Sequence, residues 1–337
     1  MIIAGIDIGS DSIRLTIQGQ GVVFDEPSAV ALDFKGRALA IGEKALEMNA
    51  SREDVRVVSP LAGNDIDLPA LNSLLEELCY ECRVFRMFQK TILFVSYPTS
   101  LPESVAEDLK DYLCQLGAAE VYFDEEIWMS AVGAQLDLLL PVGCCVMNIG
   151  YSHNDIAFIF NGKMMLKKSS GINGKYISDL LRQWFASEFN MAVSPADLDA
   201  VKRSLGTVRM NSDPLSMNVR GLDLGTRTLK TVTVSENQIA AVLAPFARAL
   251  ASWVQNFIQD VPEPYRRDIY ERGIVTCGGT MNIKGLAKSL ATMVDAPVYV
   301  TDDPSSTVVQ GLEILMSRTA ERKRNGKGKS VRQSDKG

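Results

Sequence analysis

Histidine is almost missing from this chain: His153 is the only one among 337 residues. That leaves little material for histidine-based nucleophile triads or for His-rich metal sites. Long apolar runs are missing too. No stretch approaches the roughly 18 consecutive apolar residues that a membrane-crossing helix needs. Met1 leads directly into a strand pattern, so no signal peptide is expected. A basic surplus is absent, and the net charge of −6 argues against a nucleic-acid binder. The six cysteines fit a reducing compartment. Cys79 and Cys82 form a CxxC on a helical pattern without a second pair, which is too few ligands for a metal site. They read as ordinary helix residues, with a redox role a distant second. Cys144 and Cys145 are adjacent in a strand pattern, so they point to opposite faces.

What is present is a soluble globular composition, 46% apolar and 23% charged, over a length that suits two domains. One pattern occurs twice. Ile2 to Ile17 reads as a strand, a turn (Asp7, Ile8, Gly9, Ser10), and a second strand. From Cys144 an apolar strand again ends in a polar residue, Asn148, followed by Ile149 and Gly150, a polar turn, and a strand from Ile156 to Phe160. Two similar halves, each opening with strand–turn–strand, predict a duplicated α/β architecture with the turns facing one another across a cleft. Small residues and backbone N–H groups in such turns are suited to phosphate oxygens. The plainer reading, two ordinary hairpins, is weakened by the repeat. A third strand end, Gly273 to Gly279, carries the glycine pair Gly278 and Gly279, where a ligand could approach the backbone closely. Asp223-Leu224-Gly225-Thr226 imitates the first turn but is discounted, because no buried apolar strand precedes it.

Along the chain, Lys35-Gly36-Arg37 predicts a hairpin turn, Ile41 to Met48 a short helix, and Leu71 to Cys82 another. Pro60 and Pro69 frame a loop around Gly63 to Asp65. The segment Arg83 to Lys90 is unusual in mixing Val84, Phe85, Met87 and Phe88 with Arg83, Arg86 and Lys90. Either it is a helix end packing onto the core, or it is a wedge with apolar side chains in lipid and basic ones at headgroups. A helix is expected from Asp124-Glu125-Glu126 to about Leu140. Further helices are expected at Lys175 to Phe189, Ser194 to Leu205, Ile239 to Ile258 and Ser305 to Ser317. The stretch after Arg318, rich in Lys and Arg, reads as a disordered basic tail. It is either a solvated end or a weak attraction to an anionic membrane.

The order of these motifs resembles the MreB family of bacterial actin-like proteins from about Ile3 to Met316. The match rests on GIDIGS from Gly5, GVVFDEPSAVAL from Gly21, AIGEKALEM from Ala40, VSYP ending at Pro98, LGAAEVYFDEE from Leu116, GIVTCGG from Gly273, and Asp302-Asp303-Pro304. The resemblance implies an actin-like fold of two duplicated α/β domains around a nucleotide cleft, each with a smaller insert. The first core domain would take 1–32 and 79–140 with the helix 305–317, and its insert 33–78. The second would take 141–178 and 245–304 with the insert 179–244, leaving 318–337 as the tail. ATP and Mg²⁺ are implied in the cleft. Asp7, Gly9, Ser10, Asn148, Gly150, Lys202, Gly278 and Gly279 would be the nucleotide-binding positions. Asp7 would act indirectly on the metal, and Glu126 would orient the attacking water. Met87 and Phe88 fall where the family carries a projecting membrane-binding pair. Self-assembly or copolymerisation with related subunits, attachment to the inner face of the cytoplasmic membrane, wall-elongation membrane proteins as partners, and control of rod shape complete the implication.

Departures from the family pattern predict weak or absent hydrolysis. Asp11, Ser12 and Ile13 do not fit the first turn, and Asp11 would add a negative charge near phosphates. In the second turn a neutral amide, Asn148, stands where the family has a carboxylate, and Tyr151 and Ser152 replace glycines. Thr280 replaces a third glycine, Ser204 a glutamate, and Ile127 a proline. Two alternatives stand beside an active filament protein. One is a pseudo-ATPase paralogue that copolymerises with an active relative. The other, an Hsp70 or sugar-kinase type of ATPase, has no recognisable peptide domain or sugar-site insert to support it.

Overall fold

The computed structural model describes residues 1–49, 54–61 and 66–333. The expected loop around Gly63 to Asp65 lies outside them. The chain divides into two compact units, Met1–Leu136 with Ser306–Gly337, and Asp137–Ser305.

In the first unit, β1 (Ile2–Ile8), β2 (Ser12–Ile17) and β3 (Gly21–Pro27) form an antiparallel run. Small strands β4 (Val30–Leu32), β5 (Ala38–Ile41) and β6 (Arg56–Val58) make a separate three-stranded sheet, with α1 (Gly42–Asn49) beside it. Gly36, at φ +77°, supplies the left-handed residue of the turn between β4 and β5. Then follow α2 (Leu68–Glu81), β7 (Thr91–Tyr97), α3 (Glu103–Leu116), β8 (Ala118–Glu125) and α4 (Glu126–Gly133). The main sheet has the order β3-β2-β1-β7-β8, with β7 and β8 parallel to β1. Strand alternation sorts its faces. Ala4, Ile6 and Ile8 pack with Leu71, Leu74 and Leu78 of α2 and Leu109 and Leu113 of α3. On the other face Ile3, Ile92 and Phe94 meet Met129 of α4 and Val308, Leu312 and Met316 of the last helix, α10 (Thr307–Gln333).

The second unit repeats this sheet strand for strand. β9 (Gly143–Ile149), β10 (Asn154–Phe160) and β11 (Lys163–Ser170) are antiparallel. β15 (Ile274–Cys277) and β16 (Val298–Val300) run parallel to β9, in the order β11-β10-β9-β15-β16. Between the two groups lie α5 (Gly174–Phe189), β12 (Met191–Ala192), α6 (Pro195–Leu205), β13 (Ser216–Asp223), β14 (Leu229–Ser235), α7 (Glu236–Asp260) and α8 (Glu263–Arg272). A 3-10 turn, Gly279–Asn282, and α9 (Leu286–Val294) join β15 to β16. Asn173 and Ser194 cap α5 and α6 by accepting the amides of Tyr176 and Asp197. Asp223-Leu224-Gly225-Thr226 begins at the end of β13 and opens its hairpin with β14, where the Asp223 carboxylate accepts the Gly225 and Thr226 amides.

Three expectations change. The helix starting at Glu126 stops at Gly133 instead of running to about Leu140, and Gln135 takes a left-handed φ of 53°. α8, whose ten residues bury only Ile269, was not expected. α10 continues through the stretch expected as a disordered basic tail, reaching Gln333. Lys and Arg are good helix formers, and a helix already docked through Val308 to Met316 needs no new nucleus to extend. Lys323 on this extension pairs with Glu120 at 2.6 Å. Among the described residues no helix is long and apolar enough to cross a membrane.

Candidate functional site

The first turn joins β1 to β2. Asp7 ends up buried one residue before β1 closes, and Arg14 lies directly across from it on β2. Burial pushes the Asp7 carboxyl up to about 6, partly offset by the Arg14 guanidinium. One oxygen of Asp7, Oδ2, is 3.8 Å from Arg14 Nη1. The Ser96 hydroxyl, at the adjoining strand position, hydrogen-bonds to the Asp7 carboxylate and also works against its burial. Gly9 makes the turn tight: a Cβ there would lie 2.6 Å from the Ser12 carbonyl oxygen. Ser10 is half-buried, while Asp11 is exposed, with its carbonyl accepting the Ser28 amide. Glu126 is the first residue of α4, half-buried, and its carbonyl accepts the Ser130 hydroxyl.

The second turn, 150–153, is sewn to its neighbours. Gly150 N donates to the His153 carbonyl at 2.8 Å, and the Gly150 carbonyl accepts both Gly174 N and the Thr280 hydroxyl at 3.0 Å. The Tyr151 carbonyl accepts Lys175 N at 2.8 Å, and Asn173 Nδ2 donates to the Ser152 carbonyl at 2.6 Å. The first two amides of α5 are therefore spent on the turn and are not offered to an anion. Thr280, in the place of a third glycine, ties this turn to the 3-10 turn. Lys202 Nζ sits 5.1 Å from the centre of the Tyr151 ring and 3.1 Å from Asp199. That is a cation–π arrangement, and the ring fills space that a glycine would leave open. Burial lowers the pKa of His153.

Gly278 belongs to the same cluster. Its φ is +90°, and a Cβ on it would stand 2.5 Å from Asn148 Oδ1 and 2.4 Å from the Ile149 carbonyl oxygen. Asn148 is buried at the register position beside Cys277. Gly279 is roomier, its nearest neighbour being Ser305 Oγ at 3.7 Å. The second unit thus gathers Asn148, Gly150, Lys202, Gly278 and Gly279 around one strand end. The first unit gathers Asp7, Gly9 and Ser10 at the corresponding end of its own sheet. Arg14 joins them and was not singled out from sequence. Its only signal is position: seven residues after Asp7, on the far arm of a tight hairpin.

The segment before β7 divides cleanly. Val84 is fully buried, and Phe85 packs on the core and against Gly117 at the end of α3. Met87 and Phe88 point outward, 82% and 99% exposed. Gln89 N closes a turn onto the Arg86 carbonyl, with Phe88 at φ 63° in its third position. Glycine or asparagine is the usual occupant there, so a phenylalanine is held at a backbone cost. Arg83, Arg86 and Lys90 around it are exposed.

Residues 2–324 match the profile described as MreB/Mbl protein. The chain belongs to the MreB/Mbl family. Among curated relatives, the cell shape-determining protein Mbl of Bacillus subtilis is 25% identical over 315 residues, 93% of this chain and 95% of that protein. The cell shape-determining protein MreB of Escherichia coli K12 is 24% identical, over 91% of this chain and 90% of that one. Among solved structures, MreB5 of Spiroplasma citri bound to AMPPNP superposes with a TM-score of 0.87 at 27% identity, covering 96% of this chain and 98% of the other. The MamK double helical filament shares the fold at a TM-score of 0.75 and 17% identity, covering 94% and 98%. The fold is therefore the actin-like one that the sequence motifs imply.

The CxxC pair of this MreB-family chain lies on and just after α2. Burial raises Cys79 to about 12 and Cys82 to about 11, which leaves both as unreactive thiols.

Proposed function

We propose that this chain is a filament-forming cytoskeletal protein that binds adenine nucleotide, attaches to the inner face of the cytoplasmic membrane, and helps set cell shape by organising wall synthesis. Family membership supports assembly and shape control, and the relative crystallised with AMPPNP supports the nucleotide. The residues present fit a nucleotide better than a metal. Gly279 leaves room beside its backbone, while Gly9 and Gly278 keep the two strand-end turns tight against the Ser12, Ile149 and Asn148 oxygens. Mg²⁺ is poorly served: Asn148 is neutral, and a guanidinium already stands beside the remaining carboxylate.

The observation that carries the membrane reading is the outward Met87–Phe88 pair on a strained turn ringed by basic residues. Burying two such side chains stabilises by about 1.5–3 kcal/mol each. Three neighbouring cations add roughly 1 kcal/mol each on an anionic leaflet. After the cost of association, one subunit binds marginally, and a filament binds strongly by repeating the contact. Co-sedimentation with anionic liposomes tests this, using wild type against Met87→Ser/Phe88→Ser and electron microscopy of both for filaments. We expect the double variant to assemble and to stay in the supernatant. A double variant that assembles and pellets as well as wild type would move the anchor elsewhere, with the basic end of α10 the next candidate.

A second reading, a pseudo-ATPase paralogue copolymerising with an active relative, is favoured by the Tyr151 ring on Lys202 and by Asn148. Filaments that form only when an active family member is mixed in would select it.

A further inference from the structure

We propose that Arg14 is a built-in counter-ion that takes the place of the divalent cation, so that nucleotide binding by this chain is independent of Mg²⁺. The inference rests on the nucleotide reading above. It comes from a row of side chains across the first sheet. In register, from edge to edge, stand Asp25, Arg14, Asp7, Ser96 and Asp124. Residues in one register row share a face, so the guanidinium of Arg14 lies between two carboxylates. Its Nε is 2.8 Å from Asp25 Oδ1 and its Nη1 is 3.8 Å from Asp7 Oδ2. The Arg14 side chain is 18% exposed and that of Asp7 only 7%.

The guanidinium of Arg14 places a full positive charge at this position. A doubly charged ion held through Asp7 would lie within a few Å of it, where two like charges repel in a poorly screened site. The duplicated sheet sharpens the point. The strand that corresponds to β1 is β9, and its residue at the turn is Asn148, an amide with no charge to offer. Asp7 therefore stands beside an arginine, and the equivalent position of the second sheet carries no charge. Among the described residues no group of three His, Cys, Asp or Glu side chains could hold a metal ion.

The test is calorimetric titration of ATP and ADP into the purified full-length chain, in excess Mg²⁺ and in excess EDTA. Wild type should bind equally in both, within about threefold in Kd. Arg14→Leu should lose at least about tenfold in EDTA and recover on adding Mg²⁺, while Arg14→Lys should stay metal-independent. Thermal melting of each variant establishes that it is folded. If Arg14→Leu does not fold, the wild-type pair of titrations and Arg14→Lys decide. Wild-type binding that weakens tenfold or more in EDTA overturns the counter-ion proposal and leaves the nucleotide reading intact. So does metal-independent binding by folded Arg14→Leu. No binding of either nucleotide in either buffer overturns the nucleotide reading itself, and this inference with it.

Discussion

Asp7 is a carboxyl that folding makes harder to ionise. Its ordinary value of 3.8 rises to about 6, chiefly through burial. Between those two values the folded chain holds a proton that the unfolded chain has released. Stability from this group is therefore full below about pH 4, falls as pH rises to about 6, and is flat above. The two-unit shift corresponds to an order of 3 kcal/mol. Asp7→Asn removes the titration, so it should stabilise more at pH 7.5 than at pH 4.5, and urea unfolding at the two pH values measures the difference. Equal effects at both would mean that Asp7 ionises normally. A second residue-scale expectation concerns Asn148. Restoring the carboxylate with Asn148→Asp should not by itself bring phosphate release to that of an active family member. Tyr151 would still cover Lys202, and Arg14 would still stand beside Asp7. Substantial turnover from the single change, abolished by adding Glu126→Ala, would show that Asn148 alone silences the site.

At the scale of elements, the contact between α4 and α10 depends on two glycines. A Cβ on Gly133 would stand 1.9 Å from the Thr307 carbonyl oxygen, and one on Gly311 would stand 2.2 Å from that of Met129. Backbone touches backbone, and neither partner is a flexible side chain that can swing away. Gly311→Ala should therefore destabilise by about 1–3 kcal/mol despite its better helix propensity. The drop is read as a lower denaturation midpoint at unchanged slope. A stabilised Gly311→Ala would mean that the helices sit farther apart. This contact also marks how much of the chain can be read from its residues. The hairpins at Ile2 and Gly143 were legible because apolar runs repeat around similar turns, and the start of α6 because Ser194 precedes a proline. The end of α4 at Gly133 was not legible, since Leu136, Leu138, Leu139 and Leu140 carry an apolar pattern past it. α8 was hidden by its charged composition, which buries one side chain. Arg14 was overlooked because cross-strand register, not sequence spacing, brings it to Asp7.

At the scale of the molecule, the second unit is one continuous piece of chain, Asp137–Ser305, inserted into the first. The segment 137–305 should therefore fold alone with a single cooperative transition. The segment 1–136 should not, because Val308, Leu312 and Met316 of α10 cover one face of its sheet. Expressing each segment, and then 1–136 together with a separate 306–333 peptide, checks both statements. Cooperative unfolding by 1–136 alone would show that the missing helix is dispensable.

The same interruption has a consequence during synthesis. The first sheet leaves the ribosome early, but the helix that seals it is made only after the whole inserted unit. At about 5–20 residues per second, that wait is on the order of 10–35 s. Throughout it, Ile3, Ile92 and Phe94 face solvent or a chaperone. A nascent chain therefore cannot finish its first unit until α10 has followed the inserted one.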